Sequence, residues 1–205
     1  MTSRIARGIL LTAAVTLTAC TVFPTPEPPR VMDLALNTDQ TTFAPARQAS
    51  LRVDTPLASD PLDGSRLLYK PSPYEYQALP GVRWRDSIPV VLRDHLTKGY
   101  RHSGAFTNVI TDTSPASSSH TVISELTAFH AENRSEGIAV VIELHIEVMS
   151  NRSRLSLCAD NHKVESMADS VAVDDLMAAF SAGAHILSER TTRWAFECLA
   201  DTGRN

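Results

Sequence analysis

Residues 137–149 read GIAVVIELHIEVM, and the two-residue period of that stretch decides the fold class. Ile138, Val140, Ile142, Leu144, Ile146 and Val148 share one parity, while Ala139, Val141, Glu143, His145, Glu147 and Met149 share the other. Successive strand side chains point to opposite faces. The stretch therefore predicts a strand with one packed face and one mostly wet face, as antiparallel sheets have. Arg154 to Val164 is its expected antiparallel partner across the Ser150–Ser153 turn.

Working outward, Val171 to Leu199 changes to a helical period. Val173, Leu176, Met177, Phe180, Ala184, Leu187 and Trp194 form an apolar stripe, which predicts a helix about 43 Å long at 1.5 Å per residue. Gly183 weakens it by ~1 kcal/mol relative to alanine. Upstream, Ser87 is placed to cap a helix running to about His102, with Ile88, Val91, Leu92, His95 and Leu96 on one face. Pro89 is tolerated in its first turn and Gly104 suits its end. Shorter strands are expected at Val31–Leu36, Leu51–Thr55, Arg66–Lys70, Tyr74–Leu79, Thr107–Thr111 and Thr121–His130. Polar loops are expected at Asn37–Ala49 and Asp112–Ser119, and a turn at Pro80-Gly81. Two helices and about eight strands predict an α+β fold: an antiparallel or mixed sheet with two main helices packed on one face, in a single domain over 31–205.

The first nineteen residues read as an address. Arg4 and Arg7 precede the apolar run Ile9 to Leu17, and no acidic residue occurs before Glu27, the pattern of a secretory signal peptide. It ends Leu17-Thr18-Ala19-Cys20, which resembles the bacterial lipobox, with cleavage before Cys20 and acylation of Cys20. Thr21 stands where an aspartate often retains such proteins at the inner membrane, which favours the inner leaflet of the outer membrane. Residues 20–30 carry four prolines in Thr21–Arg30 and form an extended tether, rising ~3.1 Å per residue where it is polyproline II.

The 205 residues carry 19 Lys+Arg against 23 Asp+Glu, for a net charge of −4, or −6 once the signal is removed. This mild acidity argues against a nucleic-acid binder, and no run of 18 apolar residues suggests a membrane span in the mature chain. The chain has no GxSxG, HExxH, CxxC, GxGxxG or GxxxxGK[ST] pattern; no catalytic residue and no cofactor is assigned. Glu143, His145 and Glu147, with His130 and His162 on neighbouring strands, have metal-ligating chemistry. The simpler reading is a solvated strand face, so no metal is assigned. Asn133-Arg-Ser135 and Asn151-Arg-Ser153 match glycosylation sequons but are chance matches behind a bacterial lipobox. Cys158 and Cys198 remain once Cys20 is acylated. An oxidising compartment permits their disulfide, but alternation with Leu155, Leu157 and Ala159 turns Cys158 away from the core unless a bulge intervenes, so no bridge is expected.

Tyr69, Tyr74, Tyr76 and Trp84 fall within sixteen residues. Such a hairpin suits a partner or lipid-headgroup surface; equally, aromatic cross-strand pairs hold hairpins together. The first reading makes these four residues candidates for contact with a partner subunit or a second copy of the chain.

The order Ser65-Arg-Leu-Leu-Tyr69, Ser72-Pro-Tyr-Glu-Tyr76, Val82-Arg-Trp84, the helix from Ile88, Ser103-Gly-Ala-Phe106, Glu125-Leu126 with Phe129, the strand from Ile138 and a last helix carrying Trp194 is similar to the ABC-type transport auxiliary lipoprotein family. Its members accompany mammalian-cell-entry (MCE) type lipid transporters, including paraquat-inducible systems. The resemblance runs from about Val31 to Leu199. It implies a non-enzymatic, periplasm-facing accessory held to the membrane by its lipid, with an MCE-domain subunit and ABC transporter components as partners; homo-oligomerisation is compatible with it. A structural or assembly lipoprotein is the alternative reading, and a metal-dependent periplasmic enzyme a weaker one.

Overall fold

A computed structural model describes residues 27–37 and 41–201; the signal peptide, Cys20 and most of the tether lie outside them. Eight strands and two helices follow in order: β1 Arg30–Met32, β2 Arg47–Val53, β3 Arg66–Ser72, β4 Glu75–Trp84, α1 Ile88–His102, β5 Phe106–Thr111, β6 His120–Arg134, β7 Gly137–Ser150, β8 Ser156–Ala168 and α2 Val173–Asp201. The fold is α+β with one mixed eight-stranded sheet.

The period-two stretch is β7, paired antiparallel along its length with β6 on one side and β8 on the other. The other edge of β6 is shared by two groups. Its start pairs in parallel with β2, which carries β5, and its end pairs in parallel with β3, which carries β4 and β1. Ile142, Leu144, Ile146 and Val148 are fully buried on the face that α2 covers. Gly183 lies against this face: a Cβ on it would stand 3.4 Å from Ile142 Cδ1 and 3.6 Å from Ser166 Cβ, in contact distance of both strands. Trp84, Phe129 and Phe180 then pack as an aromatic trio, with ring centroids 5.0–5.3 Å apart, joining β4, β6 and α2.

Several sequence expectations are corrected. The second face of β7 is not mostly wet: Ala139 and Val141 are buried along with His130 opposite Val141. The first strand stops at Met32 because the Asp33 carboxylate accepts the Leu34 N–H at 2.9 Å, and the chain then runs beside α2, with Arg30 paired to Asp174 and the Ala35 N–H donating to Ser181 Oγ. The polar loop ends early, since β2 begins at Arg47, whose N–H donates to the Ala105 carbonyl. Pro80-Gly81 is not a turn. It lies inside β4, where the β3–β4 register shifts and Gly81 takes φ +70°, a bulge rather than a reversal. Ser87 precedes α1 but makes no side-chain cap.

Strand directions gather particular features at one end of the molecule. The β3–β4 tip (residues 72–75), the β6–β7 hairpin (134–137), the close of β8 at Ala168 and the start of α2 all lie there. β1 runs parallel to β4, Arg30 opposite Val82, so the chain preceding Arg30 arrives from that same end.

Candidate functional site

The bulge at Gly81 separates the β3–β4 hairpin into two parts of unlike environment. Below it, Val82 and Trp84 turn into the core, and Trp84 is wholly buried. Tyr69 is partly buried and packs against the same core. Above it, Tyr74 is 98% exposed and Tyr76 half-exposed. Of the four aromatic candidates for a partner surface, only Tyr74 and Tyr76 therefore reach one. Trp84 is a core residue and is withdrawn from the set. Tyr69 lies against the interior.

Tyr76 covers His130 with its ring edge-on at 5.3 Å, and Lys70 Nζ sits 5.0 Å from the Tyr76 ring centre. Burial, together with the nearby Glu132 charge, raises the Tyr76 phenol above its ordinary value. Burial lowers His130, although Glu132, 3.2 Å from its Nε2, opposes the shift. Glu132 also pairs with Arg134, Arg134 with Glu165 and Glu165 with Lys163, at 2.5, 2.9 and 2.9 Å. This chain of charges flanks the buried Val141, because Glu165 stands opposite Val141 on β8.

Glu143, His145 and Glu147 do share a face, but His145 Nδ1 is hydrogen-bonded to Asn161 Oδ1 at 2.8 Å. His162 stands opposite Leu144 on the helix-facing side and packs edge-on to Trp194 at 5.6 Å, so it cannot join them. Among the described residues no group of three or more His, Cys, Asp or Glu is placed to hold a metal.

The expectation of unpaired cysteines is overturned: Cys158 and Cys198 form a disulfide, with Cα atoms 6.3 Å apart. Cys158 stands opposite Val148, a core position, and from there on the even-numbered residues of β8 face α2; a bulge between Ser156 and Cys158 lets Leu157 pack against the core as well. Leu155 is exposed and Ala159 faces outward. The facing of Cys158 is set by the β7 register and this bulge, not by its apolar neighbours.

One buried polar feature was hidden in an apolar stripe. His95 of α1 is 3% exposed and faces Ala184 and His185 of α2, with neither ring nitrogen in a well-formed hydrogen bond. Burial pushes its pKa down to about 4, helped by the neighbouring His185 and Lys98 and opposed by Asp33 and the Ala184 backbone. Its i, i+4 spacing alone gave no sign of this, because a histidine at a helix-stripe position looks like any other buried ring.

The family model of the ABC-type transport auxiliary lipoprotein component matches residues 33–190, from the end of β1 well into α2. The chain belongs to this family. The auxiliary lipoprotein is similar in structure to a Xanthomonas campestris protein at 18% identity and a TM-score of 0.76, covering 85% of this chain and 99% of that one. A crystal structure of an uncharacterized protein follows at 19% identity and 0.64, covering 82% and 99%. A hypothetical Chlamydia trachomatis protein matches at 7% identity and 0.51, covering 75% and 98%. These likenesses show the fold of the auxiliary lipoprotein and nothing of its chemistry. No protein of curated function matches it. The family ties it to an ABC-type transport system and to lipoproteins of the cell envelope.

Proposed function

We propose that this auxiliary lipoprotein is a non-enzymatic, periplasm-facing subunit of an MCE-type ABC system that moves lipids between envelope membranes. Acylated Cys20 holds it in the inner leaflet of the outer membrane. The observation that carries the reading is the family match over 33–190 behind the Leu17-Thr18-Ala19-Cys20 sequence. Thr21 in place of an outer-membrane-avoiding aspartate supports the location, and a disulfide between Cys158 and Cys198 suits an oxidising compartment. The partners are an MCE-domain subunit and the ABC permease and ATPase.

The test is crosslinking in intact cells, purification of the native lipoprotein from membranes, and identification of what comes with it. An MCE-domain protein and an ABC permease are expected. Recovery of envelope-assembly proteins without either would favour the structural-lipoprotein alternative. Cys20→Ser should leave unprocessed precursor without acyl chains.

A further inference from the structure

We infer that the end of the domain formed by the β3–β4 tip, the β6–β7 hairpin and the start of α2 docks on the lipid bilayer that holds the anchor. The inference rests on the proposed acylation of Cys20. Chain length and direction carry it. Cys20 and Arg30 lie ten positions apart, a span of at most about 33–36 Å when fully extended. The chain preceding Arg30 arrives from the tip end, because β1 is parallel to β4. From Val82, opposite Arg30, back to Glu75 is about 23 Å along β4 at ~3.3 Å per residue. Drawn straight, the tether thus carries the acyl group only about 10 Å beyond the tip. Any less extended path brings the domain closer to the bilayer.

The residues at this end have the chemistry of a membrane interface. Tyr74 and Tyr76 flank the tip; Met167, at the close of β8, is 52% exposed and Val171, just before α2, is 61% exposed. These are four of the eight large hydrophobic residues exposed among the described residues, and Val31, a fifth, lies on β1 beside the start of α2. Tyrosine combines an apolar body with a polar tip and concentrates at the headgroup level of membranes. Pro71 and Pro73 limit the conformations of the tip, so little ordering is required on contact.

Charge narrows the kind of surface. The end carries three basic residues, Arg30, Lys70 and Arg134, against at least seven acidic ones, among them Glu27, Glu75, Glu136, Asp169 and Asp174. Arg30 and Arg134 are already paired, to Asp174 and Glu165. Nothing here recruits anionic headgroups, so the contact is made by rings and aliphatic groups with a zwitterionic interface.

The experiment uses the full, acylated lipoprotein reconstituted in vesicles of phosphatidylethanolamine and phosphatidylcholine. Tryptophan is placed at the tip (Tyr74→Trp) or at the opposite end (Leu155→Trp), both at exposed positions. The emission each adds to that of Trp84 and Trp194 is compared with and without acyl-chain bromination. Bromination should remove a large part of the emission from position 74 and almost none from position 155, with no dependence on added phosphatidylglycerol. Equal quenching at both positions, or none at 74 in a protein that carries acyl chains by mass and floats with the vesicles, overturns docking while leaving the anchor standing. Emission at 74 that instead shifts with protein concentration, unquenched, marks a contact between copies and also overturns it. A protein without acyl chains that stays in the soluble fraction overturns the anchor reading and docking with it.

Discussion

Tyr74 and Trp84 lie ten positions apart on one hairpin, yet Tyr74 is 98% exposed and Trp84 wholly buried. Both are aromatic, both lie in or beside the same strand pair, and both belong to the same family-matched stretch. What differs is the layer above them. Trp84 lies under Phe180 of α2 and against Phe129 of β6, whereas the tip lies at the end of the molecule where α2 only begins. A run of aromatics therefore marks a hairpin without saying which of its rings stabilise the domain and which are available to the outside.

The strongest way to break this contrast is at its base. Trp84→Ala should cost ~3–5 kcal/mol, which lowers the melting temperature by roughly 10 °C in a chain of this size. A variant as heat-stable as Tyr74→Ala would remove Trp84 from the core. Acid probes the same interior through α1. The folded pKa of His95, about 4, lies below its unfolded value of 6.5, so the unfolded chain takes up the proton first. The stability from neutral His95 is complete above pH 6.5 and declines as pH falls toward 4, by about 3 kcal/mol in all. Urea midpoints at pH 7 and 4.5 should diverge in the wild type and converge in His95→Leu. The slope that persists belongs to His120, His130 and His162, which burial also lowers. Parallel loss in both proteins would clear His95 of the effect.

Gly81 lies between base and tip, and there the contrast can be sharpened. A Cβ at this position meets nothing within 4 Å, but φ is +70°, so Gly81→Ala should cost only the ~1–2 kcal/mol of a left-handed backbone. Calorimetry that finds no loss would mean the bulge relaxes. The smallest effect belongs to the tip: Tyr74→Ala should change stability by less than ~0.5 kcal/mol, and a larger thermal loss would show that the ring is packed.

Legibility followed the length of the pattern. Six alternating pairs in β7 and seven stripe residues in α2 were enough to outweigh local accidents, and the antiparallel β7–β8 pairing followed from them. Short signals fared worse. Pro80-Gly81 has turn chemistry, yet the strand continues through it because the positive φ is used in a bulge. The side that Cys158 faces depended on one register step at Val148, which nearby leucines could not report. The candidate aromatics were found as a group, but their division needed α2 in place. His95 was recognised as interior, while its lack of well-formed hydrogen bonds depends on what α2 presents across the seam.

β1 has only three residues, paired in parallel with β4 at Val82, Arg83 and Trp84, and it is the first element that any pull on the anchor would meet. Because the tether arrives from the tip end, tension directed toward the membrane acts along the strand axis. The three pairings are then loaded together in shear, with the Arg30–Asp174 ion pair beside them, instead of being peeled apart one at a time. A short strand in shear geometry makes a better mechanical anchorage than a longer one in a peeling geometry. With Cys20 acylated as proposed, the domain would be held by its tether without its edge strand unravelling first.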